Sequence, residues 1–266
     1  MLQNVDLSFP LEELEYYLLI LTRVSMFVFA APFFGRTEVS RSIKASFAVI
    51  LSFLLFESIS PHMYVQYSSI LEYTSLVLVE AVTGLLIGLI AAVTMDIAAF
   101  AGQIVDTNIG FSMAAQIDPA TQQNVTVTGH FYQYAFMLIF IVTGMHRYLM
   151  LALAESFQLI PLGKAVFDLD ALYDSLLGFL ADYVSLGFRI GLPIFCVALI
   201  TSGLLGIMAK VSPQMNMFAI GMQLKAAMGL GILVLTVRLL PDAADLIFTE
   251  MRHMIVSMVQ AMGGAA

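Results

Sequence analysis

The sequence predicts an all-α chain of the integral membrane type, built from helical hairpins with long, kinked helices. Three observations predict it. Of 266 residues, 60% are hydrophobic and 11% are charged, whereas a water-soluble domain carries about 25% charged residues. Mean hydropathy is +0.93. Apolar runs long enough to cross a bilayer, about 20 residues each, recur between short segments rich in Pro, Gly and charge. Eleven Lys and Arg cannot coat a soluble globule of this size. An ordinary cytosolic enzyme and a disordered chain are both excluded.

Charge and cysteine narrow the class further. The net charge is −8 and no Lys/Arg cluster occurs, which argues against nucleic acid as a partner. Cys196 is the single cysteine, so an intrachain disulfide is impossible. It sits in an apolar run and reads as a packing thiol. Asp6, Glu12, Glu13 and Glu15 precede or open the first apolar run. A cleavable signal peptide has positive charge there, so none is expected.

The elements follow in order. A first helix is expected over Pro10–Phe34, capped by Ser8 and opened by Pro10. A second runs from Ile43 to Ser60 and stops at Pro61. A third spans Leu71–Ala101, which at 1.5 Å per residue exceeds the ~30 Å hydrocarbon layer. A polar stretch, Gly102–Thr128, interrupts the pattern. The fourth helix spans Phe131–Phe157 with a break near Gly144. A connector carries Pro161, Gly163, Lys164, Asp168, Asp170 and Asp174. The fifth, Leu172–Ala209, is too long for one straight span, and Gly191-Leu192-Pro193 is expected to kink it. Ser212 and Pro213 are expected to open the sixth, which ends before Pro241. The last segment, Asp242–Met262, carries the stripe Ile247, Met251, Met254, Ile255, Met258, Val259 and Met262. That is amphipathic helix spacing, expected of a surface or docking helix rather than a span.

Charge placement sets a topology and then breaks it. Arg36, Arg41 and Lys44 place the first interhelical loop in the cytoplasm and the acidic N-terminus outside. Lys210 also reads as cytoplasmic. No Lys or Arg occurs between Lys44 and Arg147, yet Glu57, Glu72, Glu80, Asp96, Asp106 and Asp118 do. Simple alternation would put the loop after the third helix inside. Either alternation fails there, or that loop packs within protein.

Chemistry-bearing motifs are absent: no HExxH, Walker loop, GxSxG or GxGxxG. His62, His130, His146 and His253 have no ligand spacing. Neither catalysis, a metal nor a cofactor is expected. Small-residue faces are better supported. Gly84 and Gly88, Gly187 and Gly191, and Gly203 with Gly206 are spaced for close helix approach. Arg23, Glu80, Asp96, Asp182, Arg189, Lys225 and Arg238 interrupt apolar runs. Each costs about 2.5–3.5 kcal/mol at a bilayer centre. An ion path is one reading. Buried interhelical or intersubunit pairs, or water exposure within a complex, is the reading favoured. Asp182 and Arg189 share one helical face. In the polar stretch, Gly110, Phe111, Ser112, Met113, Gln116, Ile117, Asp118, Pro119, Gln122 and Asn124 mix amides and hydroxyls with apolar residues. Those types suit a compact plug inside a pore and a surface loop equally.

Three stretches carry a family resemblance. The first is Val105-Asp106 through Gly110-Phe111-Ser112-Met113 to Asp118-Pro119. The second is Gly144-Met145-His146 through Ser156-Phe157 to Pro161-Leu162-Gly163. The third, the most specific, is Gly206-Ile207-Met208-Ala209-Lys210-Val211-Ser212-Pro213-Gln214-Met215-Asn216, running on to Ile220-Gly221. The chain resembles the FliR family of flagellar type III export-gate proteins and their virulence-secretion counterparts over essentially its whole length. Ser40 stands where the family has a proline, and Met145 where it often has a histidine. The resemblance implies an all-helical subunit of a hetero-oligomeric pore for unfolded export substrates, in the bacterial inner membrane at the flagellar basal body. FliP- and FliQ-like subunits are the implied partners, with an FlhB-like subunit at the cytoplasmic entrance and membrane lipid around. Residues 1–171 are then FliP-like, and residues 172–266 a FliQ-like hairpin with the amphipathic helix. The loop from about Gly110 to Asn124 becomes the pore plug. The competing reading, a secondary small-solute transporter, calls for a matched pair of broken helices. The fifth helix carries a proline kink, with no partner break of matching position in the first half.

Overall fold

The computed structural model describes residues 11–35, 39–59, 67–111, 126–214 and 216–263. The helices are α1 (Leu11–Ala30), α2 (Arg41–Ser58), α3 (Ile70–Ile109), α4 (Val127–Val142), α5 (Met145–Leu159), α6 (Leu169–Val211), α7 (Met217–Thr236) and α8 (Leu240–Gly263). A 3-10 turn, Val237–Leu239, joins the last two. Among the described residues there is no strand, and Val166 and Gly263 form an isolated bridge. The chain is an all-α protein of the membrane type. Three segments are long and apolar enough to cross a membrane: Ile70–Ile109, Leu169–Val211 and the joined Ala219–Gly263. α4 and α5 together make a fourth if the break between them lies within one span.

Local chemistry explains where the elements depart from expectation. α3 continues through Ile109, well into the stretch expected to be loop. Ala101, Val105 and Ile109 recur at four-residue spacing and are buried. The polar side chains between them bond back to the helix: Thr107 Oγ1 donates to the Gln103 carbonyl (2.8 Å) and Asn108 Nδ2 to that of Ile104 (2.7 Å). Gly110, at φ +94°, then ends the helix. Gly144, at φ +77°, makes the expected break after α4. α6 runs on as helix past Pro193. Ser212 is still tied to the tail of α6, its N–H donating to Met208 O (2.9 Å). Asn216 therefore caps α7 in its place, Oδ1 accepting from Ala219 N (3.3 Å). Pro241 occupies the first turn of α8, where its missing N–H has no intrahelical partner to lose. The amphipathic stripe of α8 is buried in the chain itself, not displayed for docking. Ser40, at the family's proline position, caps α2 through its hydroxyl.

The chain packs as two compact units that cut across the sequence: residues 1–92, 146–175 and 253–266 form one, and 93–145 with 176–252 the other. In the first, α1 buries Leu19, Ile20, Val24 and Phe27, and Tyr16 meets Phe56 of α2 edge to face. Lys44 is buried and donates to Gly35 O (2.8 Å), closing the turn after α1. The segment before α6 is stitched to the end of α8. Val166 N donates to Met262 O (2.9 Å), Asp168 N to Ala261 O (3.2 Å), and Ser175 meets Ser257 (2.8 Å). α1 lies directly on α3. A Cβ at Gly84 would fall on the Arg23 carbonyl, and one at Gly88 would stand 2.8 Å from Phe27 O.

The second unit uses the same device. A Cβ on Gly102 would strike the backbone of Gly129 in α4, and one on Gly187 the ring of Phe100. Gly229 of α7 receives Ile109, and Gly191 lies 3.4 Å from Ile104 by the same measure. Phe140 and Phe248 stack edge to face at 5.8 Å. A Cβ on Gly203 or Gly206, by contrast, would meet nothing within 4 Å among the described residues beyond its own helix.

Backbone atoms cannot swing aside as a flexible side chain can. Gly84→Ala is therefore expected to destabilise the protein by about 1–3 kcal/mol, with Gly203→Ala close to neutral. Thermal denaturation in detergent of both variants checks this. Equal melting temperatures would show that α1 and α3 can part without loss.

Candidate functional site

The first cluster to build is the charge buried inside unit one. Arg23 and Glu80 are both fully buried. α1 brings the guanidinium in and α3 the carboxylate, and Nε meets Oε2 at 2.5 Å. Nη1 reaches Ser156 O (3.2 Å) and Oγ (3.4 Å), and Nη2 reaches Ile160 O (3.1 Å). The second carboxylate oxygen accepts from Gly163 N (2.8 Å). The guanidinium lies 4.3 Å over the Phe157 ring. Sequence spacing marked both charges but not their cage. The cage is the Ser156–Gly163 stretch, which the family resemblance had picked out for other reasons. The Ile160 carbonyl lies just past the end of α5 at Leu159, and the Ser156 carbonyl takes Arg23 as a second donor beside the Ile160 N–H (2.8 Å). Every face of the pair is occupied, so the cluster has no room for a substrate. It is a structural lock.

The other charges in helices lie elsewhere. Asp96, Asp182, Arg189 and Arg238 are exposed, and Lys225 is half-buried. At these positions burial within this chain does not hold, and the other branches of the expectation, intersubunit pairing or water exposure within a complex, pass to the proposal below. Around them α6 also exposes Leu176 (48%), Leu180 (58%), Leu192 (52%) and Ile200 (64%). Exposed charge and exposed large apolar side chains thus both occur along α6.

The second cluster brackets the polar loop. Of the expected plug residues, Gly110 and Phe111 are described; Ser112, Met113, Gln116, Ile117, Asp118, Pro119, Gln122 and Asn124 lie outside the described residues. At its base sits Asp106, fully buried near the end of α3. It accepts from Thr128 N (2.7 Å) and from the Thr128 hydroxyl, at the start of α4. Sequence reading counted Asp106 among the acids and within the first family-like stretch, but gave it no role of its own. Its signal was present: an acid at the i, i+4 spacing of Gly102 and Gly110, on the stripe beside buried Val105 and Ile109. Among the described residues no group of three or more His, Cys, Asp or Glu gathers as a metal site.

Long apolar helices, a caged ion pair and backbone contacts at glycine define an all-α protein of the membrane type. The model of one family, bacterial export proteins, family 1, matches residues 14–251. The chain belongs to that family, the family of the FliR proteins. It is similar to the flagellar biosynthetic protein FliR of Aquifex aeolicus, 31% identical over 82% of this chain and 83% of that one. The FliR proteins of Bacillus subtilis (27% over 92% of each) and Escherichia coli (23% over 94% of each) are similar along nearly the full length.

Removing one member of the caged pair leaves the other charged and enclosed. Glu80→Gln is expected to destabilise the fold by about 3–5 kcal/mol, and the double variant Arg23→Met, Glu80→Leu by clearly less. The amount of folded protein in membranes and its melting temperature in detergent report both. A double variant worse than Glu80→Gln would assign the cage's value to the charges rather than to its filling.

Proposed function

We propose that this chain is a structural subunit of the flagellar type III protein export gate. Membership of the family and its likeness to flagellar FliR proteins along the chain support placement in the flagellar export apparatus. The finer reading is that it joins FliP- and FliQ-like subunits around a pore for unfolded substrates, in the bacterial inner membrane. An FlhB-like subunit stands at the cytoplasmic side. One observation carries that reading: Asp182 and Arg189 are exposed on α6, a long apolar helix that also exposes large leucines. Lipid tails penalise both. Helices of other subunits can pair them and cover the adjacent leucines. In this reading residues 1–171 serve as the FliP-like part and 172–266 as the FliQ-like part.

The loop from about Gly110 to Asn124 is the pore plug in this scheme. It offers apolar residues to a wall and amides to its own backbone. Neither group grips a passing chain, which suits a seal that must move. The protein is a scaffold for passage, and no step of covalent chemistry is assigned to it.

Affinity purification of the full chain is expected to recover intact protein with foreign FliP- and FliQ-like chains. Recovery as a well-behaved monomer in detergent would overturn the proposal. Replacing residues 111–124 by a short Gly/Ser link is expected to leave assembly unchanged and make membranes leak small solutes. Assembled, tight complexes would show that the loop is not the seal.

A further inference from the structure

We propose that Asp106 is the positioning residue of the loop between α3 and α4, fixing the point at which that loop leaves and rejoins the helices. The inference rests on the reading of the loop as a seal and goes one residue deeper. Helix α4 has a residue of the right type to cap itself, because Thr126 occupies its N-cap. Yet Thr126 makes no side-chain cap bond, and its buried hydroxyl has no hydrogen-bond partner among the described residues. The duty passes to a carboxylate 22 residues upstream. Asp106 takes both the N–H and the hydroxyl of Thr128. A carboxylate at a helix N-terminus is favoured by the exposed N–H groups there, and a charged acceptor strengthens each bond.

A cap from within α4 would finish one helix. A cap from α3 ties two helices together, and does so at the base of the loop. One turn deeper the Gly102 and Gly129 backbones touch, with no room for a Cβ. Ile109, one turn nearer the loop, is seated against Gly229 of α7. The last turn of α3 is thus held between a backbone contact at Gly102 and the Ile109 side chain packed on Gly229, with Asp106 between them. Beyond it Gly110 turns the chain out through a positive φ. Whatever the loop's own conformation, both its ends are set by this carboxylate.

The test uses the full chain assembled with its partner subunits in membranes, beside the loop-replaced chain. Asp106→Asn keeps the shape but presents an NH2 to one of two donors. Thr128→Ala removes the hydroxyl bond only, and Thr128→Ser keeps both. Asp106→Asn and Thr128→Ala are expected to assemble at wild-type levels and to leak several-fold more, while Thr128→Ser stays tight. The double variant should leak no more than Asp106→Asn alone, since both act on one contact. Asp106→Asn complexes that assemble and stay tight, while the loop-replaced chain leaks, would overturn the role of Asp106 and leave the seal standing. If the loop-replaced chain is itself tight, the seal reading fails. Amide exchange at residues 127–130 then decides for Asp106: about tenfold faster exchange in Asp106→Asn supports it, as expected for a lost cap, and unchanged exchange overturns it. Should Asp106→Asn fail to assemble, Thr128→Ala decides by the same two readouts.

Discussion

A buried guanidinium needs an acceptor for each of its N–H groups, and an apolar chain has few to offer. Arg23 obtains them by drawing together parts of the sequence that are far apart. Glu80 comes from α3, and two carbonyls and a hydroxyl come from the end of α5. Ile160 O lies where α5 has stopped, and Ser156 O uses its second lone pair beside the Ile160 N–H, so the end of α5 lies beside α1. Glu80 in turn takes the Gly163 N–H, which holds the connector against α3. The contact of α1 on α3 follows from the same need. A side chain the length of Arg23 could not meet Glu80 at 2.5 Å if a Cβ at position 84 held the helices apart. The ion pair is weak as a source of net stability against an apolar replacement, because desolvation offsets its attraction. Its effect is to make one packing of α1, α3 and α5 far better than any other.

Close backbone approach supplies the remaining order. In lipid, helices gain little by burying apolar side chains, since the tails are equally apolar. Van der Waals contact and occasional polar bonds must do that work. The chain meets the requirement at Gly84, Gly88, Gly102 and Gly187, where a neighbour occupies the space a Cβ would take. Asp106 adds one polar bond pair at the end of α3, in a region where the apolar stripe alone would let α4 slide. Glycine contact and carboxylate cap act together. The first sets how near the two backbones lie, and the second sets their register.

What the chain leaves uncovered is as informative as what it packs. Among the described residues nothing stands against Gly203 or Gly206, and α6 exposes leucines as well as Asp182 and Arg189. Within one chain these features have no use. Under the proposed function they are the surfaces that helices of other subunits would cover. Interior positions explain the subunit. The exposed ones concern the complex.

Composition and periodicity alone settled that the chain is all-helical and membrane-type, because hydropathy is a sum over residues and needs no neighbours. The break at Gly144 and the glycine faces at Gly84 and Gly88 were legible for the same local reason. Helix ends were less so. The polar residues of Gly102–Ile109 looked like loop, yet Thr107 and Asn108 spend their polarity on their own helix. Asn216 displaced Ser212 as a cap because Ser212 still belongs to α6. Seven helical charges were visible in the sequence, but which of them were paired was not. Pairing is a property of space: Arg23 and Glu80 lie 57 positions apart and Asp106 and Thr128 lie 22 apart. No local pattern brings such residues together. Only the packed helices decide that Arg23 is caged while Arg189 stays open.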